Sequence, residues 1–229
     1  MHREIKGISS MATRLLLAEL VAAYGAVSDD KVVIESVGGV DAARRVQAGE
    51  SFDVVFLASD AIAKLVASGH VVDGSQVSLV HSGVAVAVRA GAPQPAIATE
   101  EDVRRAVLGA RTLSYSTGPS GVALARLFEH WGIADEIKGR IVQAPPGVPV
   151  GELVARGEVE LGFQQLSELM HVKGITVLGP LPAAIQVTTT FAGGIVASSG
   201  HRDAVQSLLE FMCAPAAADA KRRQGMDPA

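Results

Sequence analysis

The chain has 229 residues, 48% of them hydrophobic, and 20 basic against 24 acidic side chains give a formal charge of −4. That length and apolar content can fill one large domain or two small lobes without help from metals or disulfides. The near-balanced charge, with no long run of Lys or Arg, excludes a nucleic-acid footprint. The single cysteine, Cys213, excludes an internal disulfide or a thiolate metal cluster, and no window of about 18 apolar residues offers a membrane span.

In chain order, Glu4 to Ile8 reads as a short strand, Ser9-Ser10 as a turn with N-cap chemistry, and the following segment as a helix with Leu17, Leu20, Val21 and Tyr24 on one face. Lys31 to Glu35 reads as a strand, Ser36-Val37-Gly38-Gly39 as a Gly-rich loop, and Asp41 to Ala48 as a helix stopped by Gly49. Asp53 to Leu57 is an apolar run of the buried parallel-strand kind, followed by Ser59-Asp60 as a cap and a helix ending at Gly69. Repeated strand-loop-helix units imply a parallel sheet covered by helices.

Gly83 to Val88 reads as a longer strand. Gly91 to Pro95 then breaks the pattern before a helix that opens at Thr99-Glu100-Glu101-Asp102, a near capping box. The rhythm resumes with a strand over Thr112 to Tyr115, a loop over Ser116 to Gly121, and a helix through Phe128 and Trp131. A strand over Ile141 to Gln143, the loop Pro145-Pro146-Gly147-Val148, a helix around Gly151 to Arg156 and a strand over Leu161 to Gln164 follow. Val187 to Ala192 is a second long strand, and helices over Arg202 to Met212 and Pro215 to Gln224 close the chain. The reading is an α/β protein of two lobes, 1–82 with 191–229 and 83–190, joined by two crossing strands near residues 86 and 190 that form a hinge. Lys221-Arg222-Arg223 is expected to be a solvated helix end, and Cys213 a small buried residue on a C-terminal helix.

The strand C-terminal ends of such a sheet face the crevice where ligands bind, and each following helix presents free N–H groups and its positive dipole end there. Five loops sit at these points: Ser9-Ser10, Gly38-Gly39, Ser116 to Gly121, Gly147-Val148 and Gln164-Gln165. All are small or neutral polar, a set suited to an anion held by hydrogen bonds without a full countercharge. Taken singly, Ser9 and Ser120 also read as helix caps, and Gly38-Gly39 as a tight turn that lacks the full Gly-x-Gly-x-x-Gly spacing. Ser120-Gly121 has no Gly-x-Ser-x-Gly context, which disfavours a hydrolase elbow. Two amides ending a buried strand, Gln164 and Gln165, must find partners. The histidines at 2, 70, 81, 130, 171 and 201 form no ligand spacing, so neither a metal nor a catalytic triad is expected.

The stretches Ser9-Ser10-Met11-Ala12, Val46 to Val55, Ser116-Thr117-Gly118-Pro119-Ser120-Gly121 and Leu153 to Phe163 resemble the molybdate-binding proteins of ABC importers and the wider molybdate-binding-protein-like group, over nearly the whole chain. The resemblance implies a two-lobed type II periplasmic-binding-protein fold with parallel-sheet lobes, and a small anionic ligand. In true molybdate binders the oxyanion is held by a Ser in each of the first two loops, amides in the third and fourth, and a Tyr in the fifth. Matched position by position, these fall on Ser10 or Ser9, Gly38-Gly39, Ser120-Gly121, Gly147-Val148 and Gln165, so Gly replaces the second Ser and Gln replaces the Tyr. The binding set is therefore Ser9, Ser10, Gly38, Gly39, Ser116, Ser120, Gly121, Val148, Gln164 and Gln165.

The Gly-Phe-Gln-Gln-x-Ser-Glu-Leu stretch, with Ser-x-Gly-Pro-Ser-Gly, resembles a branch that includes bacterial aconitate isomerase, an enzyme that moves a double bond in a tricarboxylate. That resemblance implies a cofactor-free isomerase of a small unsaturated polycarboxylate as the alternative to a binder. Tyr115, Glu168 and His81 are general bases by type. Their plainer readings are a strand residue, a solvated helix carboxylate and a surface imidazole. The segment from Met1 to Ile8 shows no apolar leader, so the sequence as written reads as cytoplasmic, and as periplasmic, with an ABC transporter permease as partner, if a leader has been removed.

Overall fold

The computed structural model describes residues 3–144 and 148–229. In chain order its elements begin β1 (Glu4–Ser10), α1 (Arg14–Tyr24), β2 (Lys31–Val37), α2 (Gly39–Gln47), β3 (Val54–Ala58), α3 (Ser59–Ala67), β4 (Val77–Arg89), α4 (Glu100–Gly109) and β5 (Leu113–Tyr115). They continue α5 (Pro119–His130), α6 (Ala134–Ile137), α7 (Val150–Arg156), β6 (Leu161–Gln165), α8 (Leu166–Leu169), β7 (Ile175–Pro180), β8 (Thr188–Ile195), α9 (Arg202–Cys213), α10 (Ala218–Arg223) and β9 (Asp227–Pro228). These make two compact units, Met1–His81 with Thr190–Ala229, and Ser82–Thr189. The chain passes from the first to the second inside β4 and returns inside β8.

In the first unit β2, β1 and β3 pair in parallel, and β8 joins β3 antiparallel. All five residues of Val-Val-Phe-Leu-Ala in β3 are buried, as a strand covered on both faces requires. Alternation along β1 and β3 sends Ile5, Val54 and Phe56 to one face, against Leu16, Leu17 and Leu20 of α1 and Val205, Leu208 and Leu209 of α9. Ile8, Val55 and Leu57 go to the other, against Ala42 and Val46 of α2 and Ile62 and Leu65 of α3. Each fully buried side chain of this size contributes about 1.5–3 kcal/mol. The helices stop where the sequence says they should, with Gly49 and Gly69 at φ of 77° and 76°, a left-handed turn that glycine takes without a Cβ clash.

In the second unit β5 and β6 run parallel, and β4 lies antiparallel to β6 on one side and to β7 on the other. Val103 and Val107 of α4 and Leu124 and Phe128 of α5 cover one face, where Phe128 meets Phe163 edge-on at 6.1 Å. Val150, Leu153 and Val154 of α7 and Leu169 of α8 belong to the opposite layer. Thr99 forms the full capping box at α4, accepting from Asp102 N while Asp102 accepts from Thr99 N, both at 3.1 Å.

Four expectations change. The sheets are mixed rather than purely parallel, because β4 and β8 enter antiparallel to their neighbours. No strand forms over 141–143; Ile141 makes a single bridge to Leu113. Ser9 and Ser10 belong to β1 rather than to a turn, and β6 runs one residue past the expected Gln164, so that Gln165 ends the strand instead of lying in a loop. Lys221 is only 2% exposed, its neighbours Arg222 and Arg223 being the solvated ones, and burial pushes its ammonium pKa down. No helix among the described residues is long and apolar enough to cross a membrane.

Candidate anion-binding site

The first unit gathers its predicted groups where β1 and β2 end. Their parallel register sets Ser9 beside Ser36 and Ser10 beside Val37. Neither serine caps a helix: Ser9 Oγ lies 2.8 Å from Ser36 Oγ, and Ser10 makes no side-chain cap bond. Gly38 stands at the N-cap of α2, where no side chain caps the helix, and the first bond of the helix is Ala42 N to Gly38 O at 2.9 Å. The N–H groups of Gly39, Val40 and Asp41 therefore have no carbonyl within their own helix.

Ser10 packs beside the start of α2, since a Cβ added to Gly39 would stand 3.6 Å from the Ser10 Cβ. Ser10 is only 7% exposed, yet its buried Oγ has no hydrogen-bond partner among the described residues. Such a group costs about 1–3 kcal/mol unless something bonds it. Ser36, the hydroxyl at the end of β2, belongs to this cluster and is absent from the predicted set; only strand register, which pairs it with Ser9, reveals it.

The second unit gathers three helix starts at the C-terminal edge of β5 and β6, where Tyr115 registers with Phe163. Pro119 opens α5 without an N–H, Gly118 supplies no capping side chain, and the first helical bond is Val122 N to Gly118 O at 3.1 Å. The Ser120 and Gly121 N–H groups are left for another acceptor. Ser116 Oγ and Ser120 Oγ lie 3.0 Å apart, so Ser120 lines this turn instead of capping the helix. Val148 is half-buried against the α7 cluster, and Gly147 lies outside the described residues.

The two glutamines turn to different partners. Gln165, 4% exposed, places its amide so that the oxygen accepts from Thr189 Oγ1 at 3.0 Å and the nitrogen donates to Ser82 Oγ at 2.8 Å and Ser82 O at 3.1 Å; this orientation satisfies both ends. Gln164, also 4% exposed, accepts from Gly151 N at 3.2 Å and donates to Glu168 Oε1 at 2.9 Å.

Glu168 corrects its plain sequence reading. It is a half-buried carboxyl rather than a solvated one; burial pushes its pKa from the ordinary 4.5 up to about 7, and the Gln164 amide opposes that rise. The other two general bases by type stand differently. Burial, and then the charge of Glu129, hold the Tyr115 hydroxyl above its usual pKa, and its ring packs edge-on to Phe128 at 5.8 Å. His81 Nδ1 shares a 2.9 Å hydrogen bond with Thr190 Oγ1. Among the described residues no group of three or more His, Cys, Asp or Glu is placed to hold a metal ion.

Comparison with known proteins identifies the family and the fold. The family described as bacterial extracellular solute-binding protein matches residues 5–227. A Pseudomonas protein named aconitate isomerase is 40% identical over 187 residues, 80% of this chain and 70% of that one. The periplasmic molybdate-binding protein of Azotobacter vinelandii superposes with a TM-score of 0.82 at 20% identity, covering 98% of this chain and 99% of that one. The sulfate-binding protein of Mycobacterium tuberculosis gives 0.81 at 18% identity, covering 100% and 88%. At these identities the two structures speak for the shared two-unit α/β fold.

Proposed function

The chain belongs to the bacterial extracellular solute-binding protein family, and on that footing we propose that it binds one small anion of the oxyanion or di- and tricarboxylate class. The binding groups are Ser9, Ser10, Gly38 and Gly39 in the first unit, and Ser116, Ser120, Gly121, Val148, Gln164 and Gln165 in the second. One observation carries this reading: the buried Ser10 hydroxyl, unpartnered, beside the uncapped start of α2. Orphaned N–H groups and a free hydroxyl suit an acceptor-only anion. Thermal unfolding with molybdate, sulfate, phosphate, succinate, citrate and trans-aconitate tests it, because a ligand at about 100 times its Kd adds about 2.7 kcal/mol to stability. The absence of a shift with every anion overturns it.

A second reading is a cofactor-free isomerase of a small unsaturated tricarboxylate, supported by the 40% identity to the Pseudomonas aconitate isomerase. Isomer ratio after incubation with trans-aconitate decides between the two. The family's extracellular description and the ABC transporter named for a Clostridium difficile structure of the same fold support a periplasmic location, with a permease as partner. Fractionation of cells producing the native gene product checks the location, and recovery in the cytosol refutes it.

A further inference from the structure

Among the hydroxyls and amides at the C-terminal edge of β5 and β6 stands a half-buried carboxylate, Glu168. The helix α8 begins directly after β6, so Glu168 sits four residues beyond Gln164 and within reach of it. Gln164 is clamped at both ends, its oxygen by Gly151 N at 3.2 Å and its nitrogen by Glu168 Oε1 at 2.9 Å. With the oxygen committed to a backbone N–H, the amide keeps its nitrogen toward the carboxylate, because turning it over would set oxygen against oxygen. That clamp fixes one oxygen of Glu168. No ion pair engages the carboxylate among the described residues, and no charged side chain contributes to its raised pKa, which comes from burial against the pull of Gln164. β5 ends at Tyr115, which registers with Phe163, so the Ser116–Ser120 hydroxyl pair follows at the same end of the strands as Gln164.

We propose that Glu168 is the proton acceptor and donor in an allylic proton shift on a small unsaturated polycarboxylate held at this edge. The inference rests on the isomerase reading above. Glu168 Oε2 takes a proton from the methylene carbon next to the double bond. That C–H bond breaks, and its electron pair forms the new carbon–carbon double bond as the old one opens toward the far carbon. Glu168 then returns the proton to that far carbon, so one C–H bond is lost, one is made, and the double bond moves by one position. No electron is gained or lost and no water enters. Gln164 is a positioning residue that holds the carboxylate. A group whose two forms are both populated near neutrality is suited to take a proton and give it back, whereas Tyr115, held protonated by burial, is not.

The test follows deuterium uptake and isomerisation of trans-aconitate in heavy water by NMR, with binding of the saturated analogue propane-1,2,3-tricarboxylate measured by calorimetry. Glu168→Gln preserves size and still accepts from Gln164. It is expected to lower exchange and isomerisation by about 10²–10⁴-fold while analogue affinity stays within about tenfold. Glu168→Asp should recover part of the rate, and the wild-type rate should rise with pH through about 7. Exchange within about tenfold of wild type in a folded Glu168→Gln variant overturns the assignment. So does tight analogue binding by the wild type with neither exchange nor isomerisation, which leaves a binder. No binding of any tricarboxylate overturns the reading beneath the proposal as well.

Discussion

The Ser116 carbonyl oxygen occupies the space in which residue 121 would carry a Cβ, so the turn into α5 closes only over Gly121. The obstruction is backbone, which cannot swing aside as a flexible side-chain tip would. Gly121→Ala is expected to cost about 1–3 kcal/mol, as overpacking does, and to weaken anion binding by displacing Ser116 and Ser120. Gly118→Ala, where a Cβ meets only Ser116 Oγ at 3.9 Å, is the matched control and should be nearly neutral. Denaturant melts of the two variants with and without ligand make the comparison; equal behaviour would refute the account.

Ser10→Ala separates binding from folding by sign. Removing a buried hydroxyl that lacks a partner should leave the ligand-free protein as stable as wild type or more so. Losing a hydrogen bond to a charged ligand should cost about 1.5–3 kcal/mol of affinity, roughly 10- to 150-fold. Paired thermal melts and ligand titrations read both effects. A destabilised ligand-free variant with unchanged affinity would make Ser10 structural.

Glu168 carries a pH signature of its own. Its folded carboxyl titrates at about 7 against an ordinary 4.5, so between those values the folded state binds the proton that the unfolded state has released. Stability from this group is therefore full below about 4.5 and is lost as pH rises through about 7, to the extent of about 3 kcal/mol. Glu168→Gln should abolish that loss, making the variant relatively more stable at about pH 8 than at about pH 5. Chemical denaturation at both values, reported as variant minus wild type, cancels the carboxylates whose pKa values run the other way, such as Glu19 and Glu160.

The capping box at α4 gives a prediction confined to stability. Thr99→Ala removes the acceptor of the Asp102 N–H and should cost about 1 kcal/mol with ligand affinity unchanged. A calorimetric melt and one titration suffice, and a fall in affinity would show that α4 is coupled to the binding groups.

Local chemistry made much of this protein legible in its sequence. Val54 to Ala58 reads as a buried strand because a continuous apolar run has no other place in water, and Gly49 and Gly69 end helices because a positive φ suits a residue without a Cβ. Thr99 and Asp102 announce a cap three residues apart. The polar character of the strand-end segments is equally visible, since Ser9, Ser10, Gly38, Ser120 and Gln164 are small or neutral at each point where a helix follows a strand. The tertiary structure alone decided how those groups are used. Register pairs Ser9 with Ser36 and leaves Ser10 alone, Gln165 is taken up by Ser82 and Thr189, and Gln164 is aimed at Glu168. Each of these depends on partners 4 to 83 residues away in the chain, and hydrogen bonds are directional over about 3 Å. The acidity of Glu168 was hidden for the same reason: a glutamate in a sequence is a charge in water until folding removes the water around it.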